Sequence, residues 1–192
     1  MVSNKEKNQK EWRTMEIVVP LSEGVSAEYV GNNLVVKGPK GEISKRLRYP
    51  RVDINVEGNE VKISTNYYTK RAKKMIHTYR AHVRNLDKGV TEGFTYRLTV
   101  VFSKFPVTVE FNAGVFTVKN LLGEKQPRSV SVPDDVKVEI KGGKEIEVTG
   151  IDKERTGQVA ALLEQTTRIT HLDRRVIQDG IYIVEKPHVR YV

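Results

Sequence analysis

The chain repeats itself. Residues Val25–Glu42 align with Val107–Glu124 without a gap, at a constant offset of 82 residues. Val25, Glu28, Val36, Lys37, Gly41 and Glu42 recur as Val107, Glu110, Val118, Lys119, Gly123 and Glu124, while Tyr29 becomes Phe111 and Leu34 becomes Phe116. Further along, Pro50–Gly58 parallels Pro133–Gly142 with one residue inserted, Glu60–Ser64 parallels Glu145–Thr149, and each copy then enters a helical pattern. Self-similarity in this order signals a duplicated structural unit. Two domains of one fold are expected, residues 1–90 and 91–192, joined near Lys88–Phe94, where Gly89 and Gly93 flank a polar bend.

Each copy reads as strands followed by one helix. Val52, Ile54 and Val56, like Val136, Val138 and Ile140, alternate apolar with polar at period two, as a sheet covered on one face requires. Gly58-Asn59 and Gly142-Gly143 are hairpin turns. Gly38-Pro39-Lys40-Gly41 is a structural turn and not a phosphate-cradling loop, because no Gly-Lys-Ser/Thr follows and no helix opens behind it. At 100° per residue, Ala72, Met75, Ile76, Tyr79, Val83 and Leu86 share one arc, so Lys70–Leu86 is an amphipathic helix. A second helix spans Lys153–Ile169, capped by Asp152, with Val159, Leu162, Leu163, Thr166 and Ile169 inward. Asp179–Val184 is a turn leading into a last strand. The expected fold class is α+β: a tandem duplication of a small antiparallel sheet with one packed helix, a two-layer sandwich.

Catalytic chemistry finds no foothold. The absence of Cys removes disulfides, thiolate metal sites and thiol nucleophiles together. His77, His82, His171 and His188 include no pair at the i, i+4 spacing that would put two ligands on one helical face. Neither a Gly-x-Ser-x-Gly elbow nor a Walker sequence occurs. No metal and no cofactor are expected. No run approaches the roughly 20 apolar residues that span a bilayer, and residues 1–10 hold no apolar leader core. A soluble, cytoplasmic protein without membrane partner or small-molecule substrate is the expectation.

Charge is more informative. The formal net charge is +9 and the pI about 9.6, which favours polyanions. It is unevenly held: residues 1–90 carry 18 basic and 10 acidic groups, whereas 91–192 carry 15 and 14. On the first helix, Lys70, Lys73, Lys74, His77, Arg80 and Arg84 fill an arc about 120° wide, opposite the apolar stripe, with no acid among them. Aromatic residues are only 7%, so a base-stacking platform for single strands is not indicated; phosphates and 2′-hydroxyls of folded RNA fit better. On the second helix, Gly157, Ala160 and Ala161 are expected to face outward. Gly157 would then admit a close partner, beside Lys153 and Arg155 in the first turn.

Three stretches, Val36–Glu42, Val148–Ala161 and Asp179–Ile183, resemble the large-subunit ribosomal protein L-six family, called L-nine in eukaryotes. With Asn120-Leu-Leu-Gly-Glu124 they point to its archaeal and eukaryotic branch, over nearly the whole chain. Gln165, Ile169, Arg175, Asp179-Gly180 and Lys186 keep that branch's spacing; Leu172 stands where a basic residue is usual and Ile177 where Phe is usual. The resemblance implies a structural, non-enzymatic constituent of the large ribosomal subunit, monomeric within the ribosome. It implies binding to large-subunit rRNA near the sarcin–ricin loop and the factor-binding stalk base, beside other stalk-base proteins. Residues expected to meet RNA are Lys153, Arg155, Gly157, Gln158, Arg168, Arg174, Arg175, Lys186 and Arg190 in the second repeat, where docking is placed. In the first they are Lys70, Lys73, Lys74, Arg80 and Arg84.

Overall fold

The computed structural model describes residues 15–66, 69–170, 172–173 and 175–187. The chain divides into two compact units, Met1–Thr91 and Glu92–Val192. The first unit begins with strand β1 (Met15–Pro20), followed by the meander β2 (Ser26–Val30), β3 (Asn33–Gly38) and β4 (Gly41–Arg46). The hairpin β5 (Asp53–Glu57) and β6 (Glu60–Thr65) then leads into helix α1 (Lys70–Thr91). All pairings are antiparallel, but the strands form two three-stranded sheets, ordered β1-β6-β5 and β2-β3-β4. The break falls at the Leu47–Val52 connection, where Pro50 precedes Arg51 at a φ of 70°. Such backbone cannot continue a ladder.

The second unit repeats the plan. Strands β7 (Phe94–Val101), β8 (Thr108–Asn112), β9 (Val115–Lys119), β10 (Arg128–Ser131), β11 (Val136–Lys141) and β12 (Glu145–Gly150) precede helix α2 (Lys153–Thr166). The sheet β11-β12-β7 matches β5-β6-β1 of the first unit and gains β13 (Gly180–Glu185) antiparallel on β7. The α+β class stands, with two sheets in each unit.

One helix closes each core. Along α1, Ala72, Ile76, Tyr79, Val83, Leu86 and Val90 are buried, together with Val19, Val61, Ile63, Leu34 and Val36 from the strands it packs on. Along α2, Thr156, Val159, Ala160 and Leu163 are buried with Leu98, Val100, Ile146, Val148 and Ile181. The hairpin at Gly58-Asn59 forms as the sequence indicates, and the one at Gly142-Gly143 forms with Lys144 drawn into a three-residue loop.

Three sequence expectations are corrected here. Helix α1 runs on through Asp87–Thr91, so Gly89 is buried in its last turn and not in a bend. The extra turn is held by tertiary contact: Lys40 N–H donates to the Val90 carbonyl at 2.9 Å, and Gly38 lies directly on the Val90 side chain. Helix α2 stops at Thr166, because the Thr167 hydroxyl turns to accept the Ile181 N–H at 2.8 Å and ties the helix end to β13. On α2, Ala160 is fully buried and Leu162 is 43% exposed, the reverse of the expectation.

A Cβ added at Gly38 would stand 2.6 Å from Val90 Cγ2, closer than packing tolerates. Gly38→Ala should therefore destabilise the protein by about 1–3 kcal/mol in denaturant unfolding. Adding Val90→Ala removes the contact with Cγ2 but leaves the residue 90 Cβ at 2.8 Å, so it should recover only a minor part of that loss; a double mutant as stable as Val90→Ala alone would contradict this.

Candidate nucleic-acid interface

Helix α1 starts where Thr69 caps it, its hydroxyl accepting the Ala72 N–H at 3.1 Å. Burial of the apolar arc on the sheet fixes the helix about its own axis, so the basic arc faces away. Lys70, Lys73, Lys74 and His77 are exposed, and Arg80 and Arg84 are half-buried. None of these side chains has an ion-pair or hydrogen-bond partner among the described residues. The first turn holds no acid, so Lys70, Arg71 and Lys73 sit at the positive end of the helix dipole, where cations are unfavourable. Fold stability does not explain that placement. His77 and His82 lie on different sides of the helix, and among the described residues no three metal-ligating side chains converge.

In the second unit about half of the described cations are answered by acids. Arg155 pairs with Asp135 at 2.6 Å, Arg175 with Asp173 at 3.0 Å, Lys119 with Glu110 at 2.7 Å and Lys137 with Glu139 at 2.5 Å. Glu147 receives both Lys141 at 2.6 Å and Arg97 at 3.3 Å. Hydrogen bonds from Lys137, Lys141 and Arg175 hold the carboxyls of Glu139, Glu147 and Asp173 below the usual carboxylate range. Such exposed pairs add little stability. Their consequence is a surface with small net field.

Arg128 has a different task. It grips Glu124 at 2.6 Å and donates to the carbonyls of Thr166 at 3.0 Å and Arg168 at 3.2 Å, clasping the end of α2. Neither the pairing with Glu124 nor the carbonyl contacts follow from spacing, because i, i+4 side chains meet as a rule only on a helix and 124–128 is not helical. Beside this clasp, a cleft of about 260 Å³ is lined by Glu164, Gln165, Thr167, Arg168, Ile169, Asp179, Gly180, Ile181 and Tyr182. Asp179 is buried, and its Oδ1 accepts Ser103 N–H at 3.0 Å and Ser103 Oγ–H at 2.9 Å. Gln165, Ile169 and Asp179-Gly180, scattered in sequence, thus line one cleft.

Of the other residues expected to meet RNA, Gln158, Arg168, Arg175 and Lys186 are exposed. Lys153 is half-buried, with Nζ 6.0 Å from the Phe94 ring centroid. Arg174 and Arg190, like His171, His188 and the N-terminal segment, lie outside the described residues. Gly157 does not face outward. A Cβ there would meet the Tyr96 hydroxyl at 2.8 Å and its ring carbon at 3.3 Å, so the glycine lets α2 settle over a β7 side chain. The expectation failed because it took Leu162 as core and so turned the helix; the outward face is Glu154, Arg155, Gln158, Leu162 and Gln165.

The family model described as Ribosomal protein L6 matches this chain over residues 21–93 and again over 105–180. The chain belongs to that family. It is 46% identical over 171 residues to the large ribosomal subunit protein uL6 of Methanobrevibacter smithii, covering 89% of this chain and 94% of that one. It is 43% identical to uL6 of Methanothrix thermoacetophila, over 86% of this chain and 94% of the relative. For uL6 of Methanococcus vannielii the figures are 40%, 89% and 92%. Ribosomal protein L6 is a family of structural proteins, not of enzymes. Its second matched segment ends at Gly180, on the wall of the cleft.

Gly157→Leu should destabilise the free protein by about 1–3 kcal/mol, because the added side chain overpacks against Tyr96. Gly157→Ala should be tolerated better in a Tyr96→Phe background, where the nearest oxygen is gone. Thermal unfolding of the two alanine variants checks this; equal losses with and without Tyr96→Phe would contradict it.

Proposed function

We propose that this chain is a structural constituent of the large ribosomal subunit in the cytoplasm, bound to large-subunit rRNA near the sarcin–ricin loop and the factor-binding stalk base. The observation that carries this reading is the likeness to archaeal large-subunit proteins over nearly the full length of both chains. Electrostatics support it: net charge +9, concentrated in the first unit, attracts a polyanion, and few aromatics mean that phosphates are met more than bases. In the second unit, docking falls to the segment after α2, with Arg168, Arg175 and Lys186 exposed, and to Gln158 on the outward face of α2. Arg155 contributes as it exchanges Asp135 for phosphate, and Lys153, half-buried over Phe94, contributes from the first turn of α2. Neighbouring stalk-base proteins complete the surroundings, and the chain acts as a monomer within the particle.

Sedimentation tests the reading. The protein should co-migrate stoichiometrically with the large subunit in moderate salt; recovery in the free fraction would sink the assignment. Isolated, it should bind large-subunit rRNA with a log–log salt slope near −4 to −5, corresponding to roughly 5 neutralised phosphates. A slope near zero would overturn the electrostatic part.

A further inference from the structure

We propose that the outward face of α1 is a contact surface for the sugar–phosphate backbone of double-helical RNA, carried by the first unit alone. The proposal rests on the reading that this chain binds rRNA, and it names a surface which that reading does not require. Lys70, Lys73, Lys74, His77, Arg80 and Arg84 occupy successive levels of one helix face, along about 21 Å at 1.5 Å rise per residue. The five Lys and Arg are without a carboxylate partner among the described residues, in contrast to Arg97, Lys119, Arg128, Lys141, Arg155 and Arg175 of the second unit. A row of like charges this long repels itself in water and is complementary to a row of phosphates.

Geometry selects the backbone over the bases. On α1, Arg71, Thr78, Ala81 and Asn85 stand between and beside the cations, and the one ring in the row is the His77 imidazole, a small stacking surface beside five Lys and Arg. The row is straight, and burial of Ile76, Tyr79, Val83 and Leu86 holds it fixed about the helix axis, so little order is lost when it meets a rigid partner. An A-form duplex presents such a partner, recognised by shape, phosphates and 2′-hydroxyls without regard to sequence.

The test uses the full chain carrying Lys73→Gln, Lys74→Gln and Arg80→Gln, with wild type beside it. Melting should show an intact fold, since none of the three belongs to the apolar arc. If Arg80, which is half-buried, proves structural, the Lys73→Gln, Lys74→Gln pair replaces the triple. Binding to large-subunit rRNA is measured across a salt series. The triple variant should lose at least tenfold in affinity at low salt, and its slope should be shallower by about 2–3, near 0.9 per phosphate released. An unrelated RNA duplex should compete better for wild type than for the variant. Wild-type binding with an unchanged slope in the variant would overturn this surface and leave the ribosomal reading standing; no salt-dependent binding by wild type would overturn that reading itself. Unchanged RNA affinity with impaired entry into the subunit would also overturn the surface, and would assign the face to an acidic protein neighbour.

Discussion

Burial of one amphipathic helix on the antiparallel sheets is the contact on which each unit depends. A three-stranded sheet cannot bury its own apolar face, and a lone helix is marginal in water; each supplies what the other lacks. In the first unit the arc from Ala72 to Val90 meets Val61 and Ile63 of β6 and Val19 of β1, all buried. That contact fixes which way α1 is turned, so the residues opposite are committed to solvent. Charge can then accumulate along Lys70–Arg84 without touching the core. Core face and proposed binding surface are separated by half a turn of helix.

The duplicated units have used this separation differently. In the second, acids stand beside the cations, as in Arg155 with Asp135 and Arg97 with Glu147, and the surface is nearly neutral. Its additions are β13 on the edge of β7 and the cleft between β13 and the end of α2, held by Arg128, Thr167 and Asp179. One unit offers a field along a helix, and the other a shaped segment. The ribosomal role proposed above would draw on both, since phosphate contacts supply affinity and position while shape supplies the unique site.

Much of this was legible in the sequence, because period-two and 3.6-residue patterns report burial directly. The duplication, the hairpins at Gly58 and Gly142, the apolar arc of α1 and the basic arc opposite needed nothing else. Resemblance supplied the family. Failures occurred where a tertiary neighbour decided the matter. Val90 extends α1 because Gly38 receives it, and Gly157 faces Tyr96, a residue 61 positions earlier. The weak amphipathicity of α2 left its orientation open to misreading: Ala160 is as buried as Leu163, while Leu162 looks to solvent. Nor could spacing alone reveal which cations were already matched, since Asp135 and Arg155 belong to different elements.

Lysine-selective labelling of the protein, free and assembled in the large subunit, tests the central assignment most directly. Lys70, Lys73 and Lys74 should be reactive in the free protein, lose reactivity in the subunit, and regain it when the rRNA is digested. Full reactivity of all three in the intact particle would contradict an RNA-facing α1, as would protection that survives digestion of the RNA.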